Sequence, residues 1–372
     1  MRRSTKIASV VAVATLALAG CAGGDSDNEE GSGSGGGGES GGGGGGTVAL
    51  ADVCDQAEGD GPKIGIAYDV GGVGDQSFND SAITGVSKLV EDIDATCTEA
   101  EASAGENDAD REERLRLLAD GGFDPILAVG FVYSPAVDTV AAEYPELSFA
   151  VVDGYSGAKN AANLTFAANE GSFLVGAAAA LTTKTDNVGF VGGVDGPLIQ
   201  AFEAGYVAGV EAVDPNIEVQ IQYLSQDDPV KGFENPPGGE TTATGMYDNG
   251  ADVVYHAAGK SGLGVFDAVE AAGDGNWAIG VDSDQYLTVD DAQKPFILTS
   301  MLKRVDTSVI EYVTAYDGGE APTGFVTYNL ESEGVGYSTS GDFLSQDVID
   351  KLEEYKQQIV AGDVTVPAEP QG

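Results

Sequence analysis

From Lys63 onward, short runs of β-branched and aliphatic residues alternate with longer stretches whose apolar positions recur at helical spacing. Short apolar runs bounded by turn residues read as strands, and a period of about 3.6 reads as helix. Residues 63–68, Lys-Ile-Gly-Ile-Ala-Tyr, predict a first strand, followed by a loop and a helix over about 77–94. A strand at 99–103, a charged helix over about 108–119 and strands at 125–129 and 148–152 come next. The alternation then begins again, with a helix near 170–182, a strand at 188–191 and a helix at 198–213. Strands at 217–223, 251–255 and 277–281 follow, with helices between them. Strands that alternate with helices call for parallel sheets covered on both faces. Two such blocks predict an α/β fold of two doubly wound, Rossmann-like lobes joined by a hinge. The first lobe is expected at 47–168, completed by about 285–318, and the second at 169–284, completed by about 319–372.

In open parallel sheets a ligand sits beyond the carboxyl ends of the strands. The first strand is followed by Asp69-Val70-Gly71-Gly72-Val73-Gly74-Asp75-Gln76-Ser77-Phe78-Asn79, and the third by Gly130-Phe131-Val132-Tyr133-Ser134. Later strands lead into Gly192-Gly193-Val194-Asp195-Gly196-Pro197, His256-Ala257-Ala258-Gly259-Lys260-Ser261-Gly262 and Asp282-Ser283-Asp284-Gln285. Rings, carboxylates and amides gather on that edge. Such a set suits a pocket that stacks a flat group and hydrogen-bonds hydroxyls.

Each of these signals has a plainer reading beside the functional one. Phe78 at a helix start is either a ring offered to a cleft or one turned back on the core. The glycines near it suggest a phosphate cradle, but Asp69 and Asp75 flank them and would repel an anion. Gly259-Lys260-Ser261 resembles part of a P-loop, yet the first glycine of that motif is missing, so a tight strand-to-helix turn is the better account. Asp282 and Asp284 invite a metal, but strand alternation turns only one of them to the cleft, which favours hydroxyl recognition and no metal. Lys303, after the apolar run 296–302, is either a partner for a cleft carboxylate or a surface lysine. His256, the only histidine, ends a strand, where a neutral structural role is common. No Gly-x-Ser-x-Gly elbow and no cysteine–histidine pair occurs, so neither catalysis nor a cofactor is expected.

The first residues add an address. Arg2, Arg3 and Lys6 precede an apolar stretch at 7–19 that is too short to span a bilayer. Leu18-Ala19-Gly20-Cys21 follows and reads as a lipobox, with residues 1–20 removed as a signal peptide and Cys21 carrying a diacylglyceryl group. Residues 21–46 are Gly, Ser and acidic residues with no large apolar side chain, a composition expected to form a disordered tether. The expected location is the outer face of a bacterial cell membrane. Loss of the signal takes the formal charge from −44 to −47. That field argues against nucleic acid and for a neutral or cationic ligand. Cys54 and Cys97 remain after Cys21 is lipidated, and in an oxidising exterior they are available to pair.

The strand-end loops together resemble the basic membrane protein, or PnrA-like, family of substrate-binding lipoproteins of ABC importers, several of which bind nucleosides. The resemblance runs over about 63–356. It is carried by Gly74-Asp75-Gln76-Ser77-Phe78-Asn79, Phe202-Glu203-Ala204-Gly205-Tyr206, the stretch 255–264, and Ile279-Gly280-Val281-Asp282-Ser283-Asp284-Gln285. It implies a type I periplasmic-binding-protein fold whose lobes close on the ligand. In that scheme a nucleobase lies between Phe78 and Phe202, and Asp69 and Asn79 line the same pocket. Asp282 accepts from ribose hydroxyls beside Lys303, and Gly259 brings its backbone to the sugar. Where the family often carries an acidic residue after Gly130-Phe131, this chain has Tyr133-Ser134-Pro135, with Ser134 or the Tyr133 hydroxyl as substitutes. Lys260 stands where a small residue is usual.

The expected function is that of a non-catalytic, monomeric receptor that hands a nucleoside, with a purine favoured, to ABC permease subunits. A sugar or small signalling molecule is the alternative ligand. A secreted nucleoside or glycoside hydrolase is the alternative of another class.

Overall fold

The computed structural model describes residues 49–103 and 105–371, so the expected signal peptide, tether and Cys21 lie outside the described residues. Strands β1 (Lys63–Ala67), β2 (Thr96–Ala100), β3 (Ile126–Val129), β4 (Phe149–Val152) and β5 (Ala161–Phe166) make the first block. The second consists of β6 (Asn187–Val194), β7 (Glu218–Ser225), β8 (Val253–Ala257), β9 (Trp277–Asp282) and β10 (Ile297–Lys303). Two more strands, β11 (Gly324–Tyr328) and β12 (Val335–Tyr337), come from the end of the chain. One sheet has the order β2-β1-β3-β4-β5-β11 and the other β7-β6-β8-β9-β10-β12, the same winding twice. Every pairing between these strands is parallel except that of β12, which runs antiparallel to β10.

The central strands are buried along their whole length, as parallel strands covered on both faces must be. In the first sheet Ile64, Ile66, Leu127 and Val129 face one core, while Ala67, Ile126, Ala128 and Val151 face the other. Alternation by two therefore fills two cores from one sheet. In the second lobe the helices Ala168–Thr182 and Pro197–Val213 pack almost backbone to backbone. A Cβ on Gly205 would lie 2.1 Å from the Asn169 carbonyl oxygen, so only glycine admits this approach. Cys54, in the short helix Val53–Gln56, is joined by a disulfide to Cys97 on edge strand β2.

The closing segments divide differently from the expectation. Residues 285–318 were expected to complete the first lobe, but β10 pairs in register with β9 of the second sheet. Only the helix Val305–Asp317 serves the first lobe, where Val305, Val309 and Tyr312 enter its core. Residues 319–372 were expected with the second lobe, yet β11 pairs with β5 of the first. The rest, β12 and the helix Gln346–Val360, does belong to the second lobe. The chain thus passes between the lobes after β5, after β10 and after β11. Three neighbouring crossings make a hinge, because they leave the facing ends of the sheets free to approach.

Candidate functional site

The helix Phe78–Ile93 starts where Asp75 gathers donors. Its carboxylate accepts from the backbone N–H of Ser77 at 2.9 Å, Asn79 at 2.9 Å and Asp80 at 3.2 Å. It also accepts from Asn79 Nδ2 at 2.9 Å. These bonds satisfy the free N–H groups of the first turn and leave Phe78 directed at the cleft. Asn79 Oδ1 accepts from the Asp69 backbone N–H at 3.2 Å, so this amide is engaged on both sides by the chain itself.

Asp69 follows β1. Its Oδ1 accepts from the Val70 backbone N–H at 2.7 Å, and burial raises the carboxyl to about 7. The Val70 bond and the Arg111 charge oppose that rise without cancelling it. Gly130, at φ 109°, passes so close that a Cβ there would lie 2.0 Å from Asp69 Oδ2. Glycine is required at that point by both conformation and space.

From the second lobe, Asp282 ends β9 at φ 64° and Lys303 ends β10. Asp282 Oδ2 accepts from Ser77 Oγ of the first lobe at 2.5 Å, and its Oδ1 lies 3.4 Å from Lys303 Nζ. The lysine also forms a short ion pair with Asp153, which follows β4 of the first lobe at φ 57°. Side-chain exposure is 3% for Lys303 and 4% for Asp153, so this is a buried pair. Burial pushes the ammonium down, but the Asp153 and Asp282 charges outweigh it and hold its proton above lysine's ordinary value. Lys303 Nζ lies over three rings, 4.6 Å from the Phe78 centroid, 5.3 Å from Phe202 and 5.5 Å from Phe166.

These groups surround a cavity with about 540 Å³ of unfilled space, its mouth included. Of the sequence-expected residues, Asp69, Phe78, Asn79, Phe202, Gly259, Asp282 and Lys303 line it. Ser134 does not. Its Oγ donates to the Phe131 carbonyl at 2.8 Å and accepts from the Tyr155 N–H at 3.0 Å, so at the start of the helix Ser134–Glu143 its hydroxyl is spent on neighbouring backbone. The Tyr133 hydroxyl donates to the Tyr68 carbonyl at 2.9 Å and accepts from Arg114, so it too points elsewhere. Phe131 lines the cavity instead and meets Phe233 edge-on across it, centroids 6.4 Å apart.

Asp75, Phe131, Asp153 and Phe233 are lining residues that sequence reasoning did not single out as site residues. Asp153 had a signal, because Val152-Asp153-Gly154 after β4 matches Val281-Asp282-Ser283 at the equivalent place in the second lobe. Phe233 had none; it sits in a five-residue helix after β7. His256 lies buried in β8 with its ring edge-on to Phe266, and burial lowers it to about 4, so it is neutral at pH 7.

The lobes also meet directly. Ser283 Oγ donates to the Ser77 carbonyl at 3.0 Å, Gln285 Nε2 to the Gln76 carbonyl at 3.0 Å, and Lys260 Nζ to the Gly71 carbonyl at 3.4 Å. The result is a closed cleft with aromatic walls, acceptors at both ends and one fixed cation. Such a site can hold a flat group by its faces and its N–H or O–H donors by carboxylates.

Two like-wound lobes closed on a cleft beyond their strand ends define a type I solute-binding protein. An ABC transporter solute-binding protein from Aeropyrum pernix K1 superposes with a TM-score of 0.72 at 28% identity, over 84% of this chain and 94% of that one. The family of PnrA-like ABC transporter substrate-binding proteins matches residues 63–370, and the chain belongs to it. A relative described as an ABC transporter nucleoside-binding protein BmpA, from Lactococcus lactis subsp. cremoris, is 34% identical over 82% of this chain and 89% of that protein. A CD4+ T-cell-stimulating antigen of Listeria monocytogenes is 38% identical, covering 82% of this chain and 88% of its own.

Proposed function

We propose that this protein is the lipid-anchored extracellular receptor of an ABC importer, binding a nucleoside, with a purine favoured, between its lobes and handing it to the permease. The observation that carries the reading is the pairing of Phe78 from one lobe with Phe202 from the other on a single cavity, with Asp282 beside them. The L. lactis relative's description as nucleoside-binding supports it.

In this reading the base stacks between the two rings and donates to Asp69. The ribose hydroxyls donate to Asp282 and accept from Lys303, and Gly259 leaves room for the sugar. Asn79 shapes the wall rather than contacting the base, since its amide is already engaged. The protein binds without turning the ligand over and acts as a monomer. Cys21 carries the lipid, which keeps the loaded receptor at high effective concentration over its permease.

A thermal-shift panel of adenosine, guanosine, inosine, cytidine, uridine and free pentoses tests the reading. A rise in melting temperature with at least one nucleoside is expected, because a ligand that binds only the native state stabilises it. If a free sugar raises the midpoint and no nucleoside does, the site is a sugar site. Release of free base during incubation would make the protein a hydrolase.

A further inference from the structure

The two sheets have the same strand order, so each position at the cleft edge has an equivalent in the other lobe. β4 corresponds to β9, and each leads to an aspartate in left-handed backbone conformation, Asp153 at φ 57° and Asp282 at φ 64°. That conformation is uncommon for a residue with a side chain and persists only where surrounding structure requires it. β5 corresponds to β10, but β5 ends on Phe166 and β10 on Lys303. Two equivalent carboxylates therefore face a single ammonium, supplied by one lobe only.

Asp282 is the weaker partner of that ammonium. Its Oδ1 stands 3.4 Å away, while its Oδ2 is taken by Ser77 Oγ. Asp153, from the opposite lobe, makes the short contact. An ammonium this deeply buried needs a close counter-charge. Without Asp153, Lys303 would be left with a distant carboxylate and three ring faces. The ion pair joins the two lobes, Asp153 from the first and Lys303 from the second.

We propose that Asp153 is a positioning residue: its carboxylate, reaching from the first lobe, sets the Lys303 ammonium against Asp282 and over Phe78 and Phe202, so that lobe closure itself assembles the cation of the binding site. The role of that cation toward a ribose rests on the nucleoside reading, whereas the pin between the lobes does not. Lys303 then does two jobs, steadying the closed state and presenting a donor at a fixed point.

The test uses the full chain with Asp153→Asn, Asp153→Glu, Lys303→Met and the Asp153→Asn/Lys303→Met double variant. Small-angle scattering without nucleoside gives the radius of gyration, and calorimetric titration gives the dissociation constant of the nucleoside that most stabilises the unaltered protein. Asp153→Asn and Lys303→Met should each expand the ligand-free protein by a similar amount and weaken binding by about thirtyfold or more, as loss of one partner of a buried charge pair does. The double variant should be little worse than either single one, and Asp153→Glu should recover part of the loss. An Asp153→Asn protein with unchanged radius and unchanged affinity overturns the proposal, as do additive losses in the double variant. If Asp153→Asn does not fold, Lys303→Met and Asp153→Glu decide: an unchanged radius in both overturns the pin. If no nucleoside binds the unaltered protein, the nucleoside reading falls, and the scattering comparison still decides the pin.

Discussion

In the proposed nucleoside site Phe202 and Asp69 act in different ways, one through area and the other through charge. Phe202 is 2% exposed, held by its helix with its ring at the cavity, and stacking of a base on such a ring is worth about 1–3 kcal/mol. Phe202→Ala should therefore weaken nucleoside binding roughly five- to 150-fold by calorimetric titration, with little change in fold by circular dichroism. A sugar site without a stacked base would lose almost nothing. For Asp69 the sign follows from its raised value of about 7. Its favourable contribution to stability is fully present below the ordinary carboxylate range and is lost as pH rises through about 7. Asp69→Asn should accordingly stabilise the ligand-free protein near about pH 8 and have little effect near about pH 4, measured by urea unfolding. A base N–H bonds the ionised carboxylate more strongly than the neutral acid, so nucleoside affinity should climb from about pH 5.5 to about pH 8 and lose that slope in Asp69→Asn. A flat profile in the unaltered protein would remove Asp69 from the contact. Seven of the eight expected residues line the cavity. Most stand at or near the end of a strand or the start of a helix, where the topology sends ligands, whereas Phe202, in the second turn of its helix, came only from the family resemblance. Ser134 failed for a local reason, since a hydroxyl next to a turn bonds its own backbone before it reaches a ligand.

The elements that were legible are those whose own side chains announce them. β3 and β4 are unbroken apolar runs and β1 alternates isoleucine with small residues, and the helix Phe78–Ile93 carries Ala82, Ile83, Val86 and Leu89 on one buried face. β5 escaped notice because Ala-Ala-Asn-Leu-Thr-Phe mixes small and polar residues, and Asn163 turns its amide to the Ser156 backbone. β2 was expected at 99–103 but spans Thr96–Ala100, where its register with β1 leaves residues 101–103 past the end of its partner. β11 and β12 are assigned to their lobes by pairing with distant strands, a fact no local pattern contains. The glycines of the helix Pro197–Val213 carry a different message, about distance rather than conformation. Gly205→Ala would place a methyl 2.1 Å from the Asn169 carbonyl oxygen and force two helices apart. Overpacking of this kind costs about 1–3 kcal/mol, so its urea midpoint should fall with an unchanged slope. Because Phe202 rides on the same helix, nucleoside affinity should fall as well. Gly336→Ala, in β12 with open space at its Cβ, is the control and should change neither quantity.

At the scale of the whole molecule the dominant quantity is charge. Two lobes were legible from length and repeated alternation, and the net charge of −44 from simple counting, but counting cannot say where the charges act. The cavity answers that for the ligand. Its carboxylates are buried, one ammonium is fixed among them, and the great majority of the acidic side chains lie elsewhere. Stability and binding should therefore respond differently to salt. Self-repulsion of surface carboxylates strains the compact state more than the expanded one, and screening shortens from about 30 Å at 0.01 M to about 3 Å at 1 M ionic strength. The thermal midpoint should rise steadily as sodium chloride is raised across that range. A nucleoside carries no net charge, and the proposed site would close its contacts off from solvent, so its dissociation constant should stay within about twofold over the same titration. A phosphorylated ligand would behave otherwise: it would be repelled at low salt, and its apparent affinity would rise several-fold as the field is screened. Measuring both quantities on one preparation separates a protein whose acidity serves its surface from one whose acidity selects its cargo. Parallel rises in midpoint and affinity would put the whole-molecule field into ligand choice, and with it an anionic ligand in place of the nucleoside.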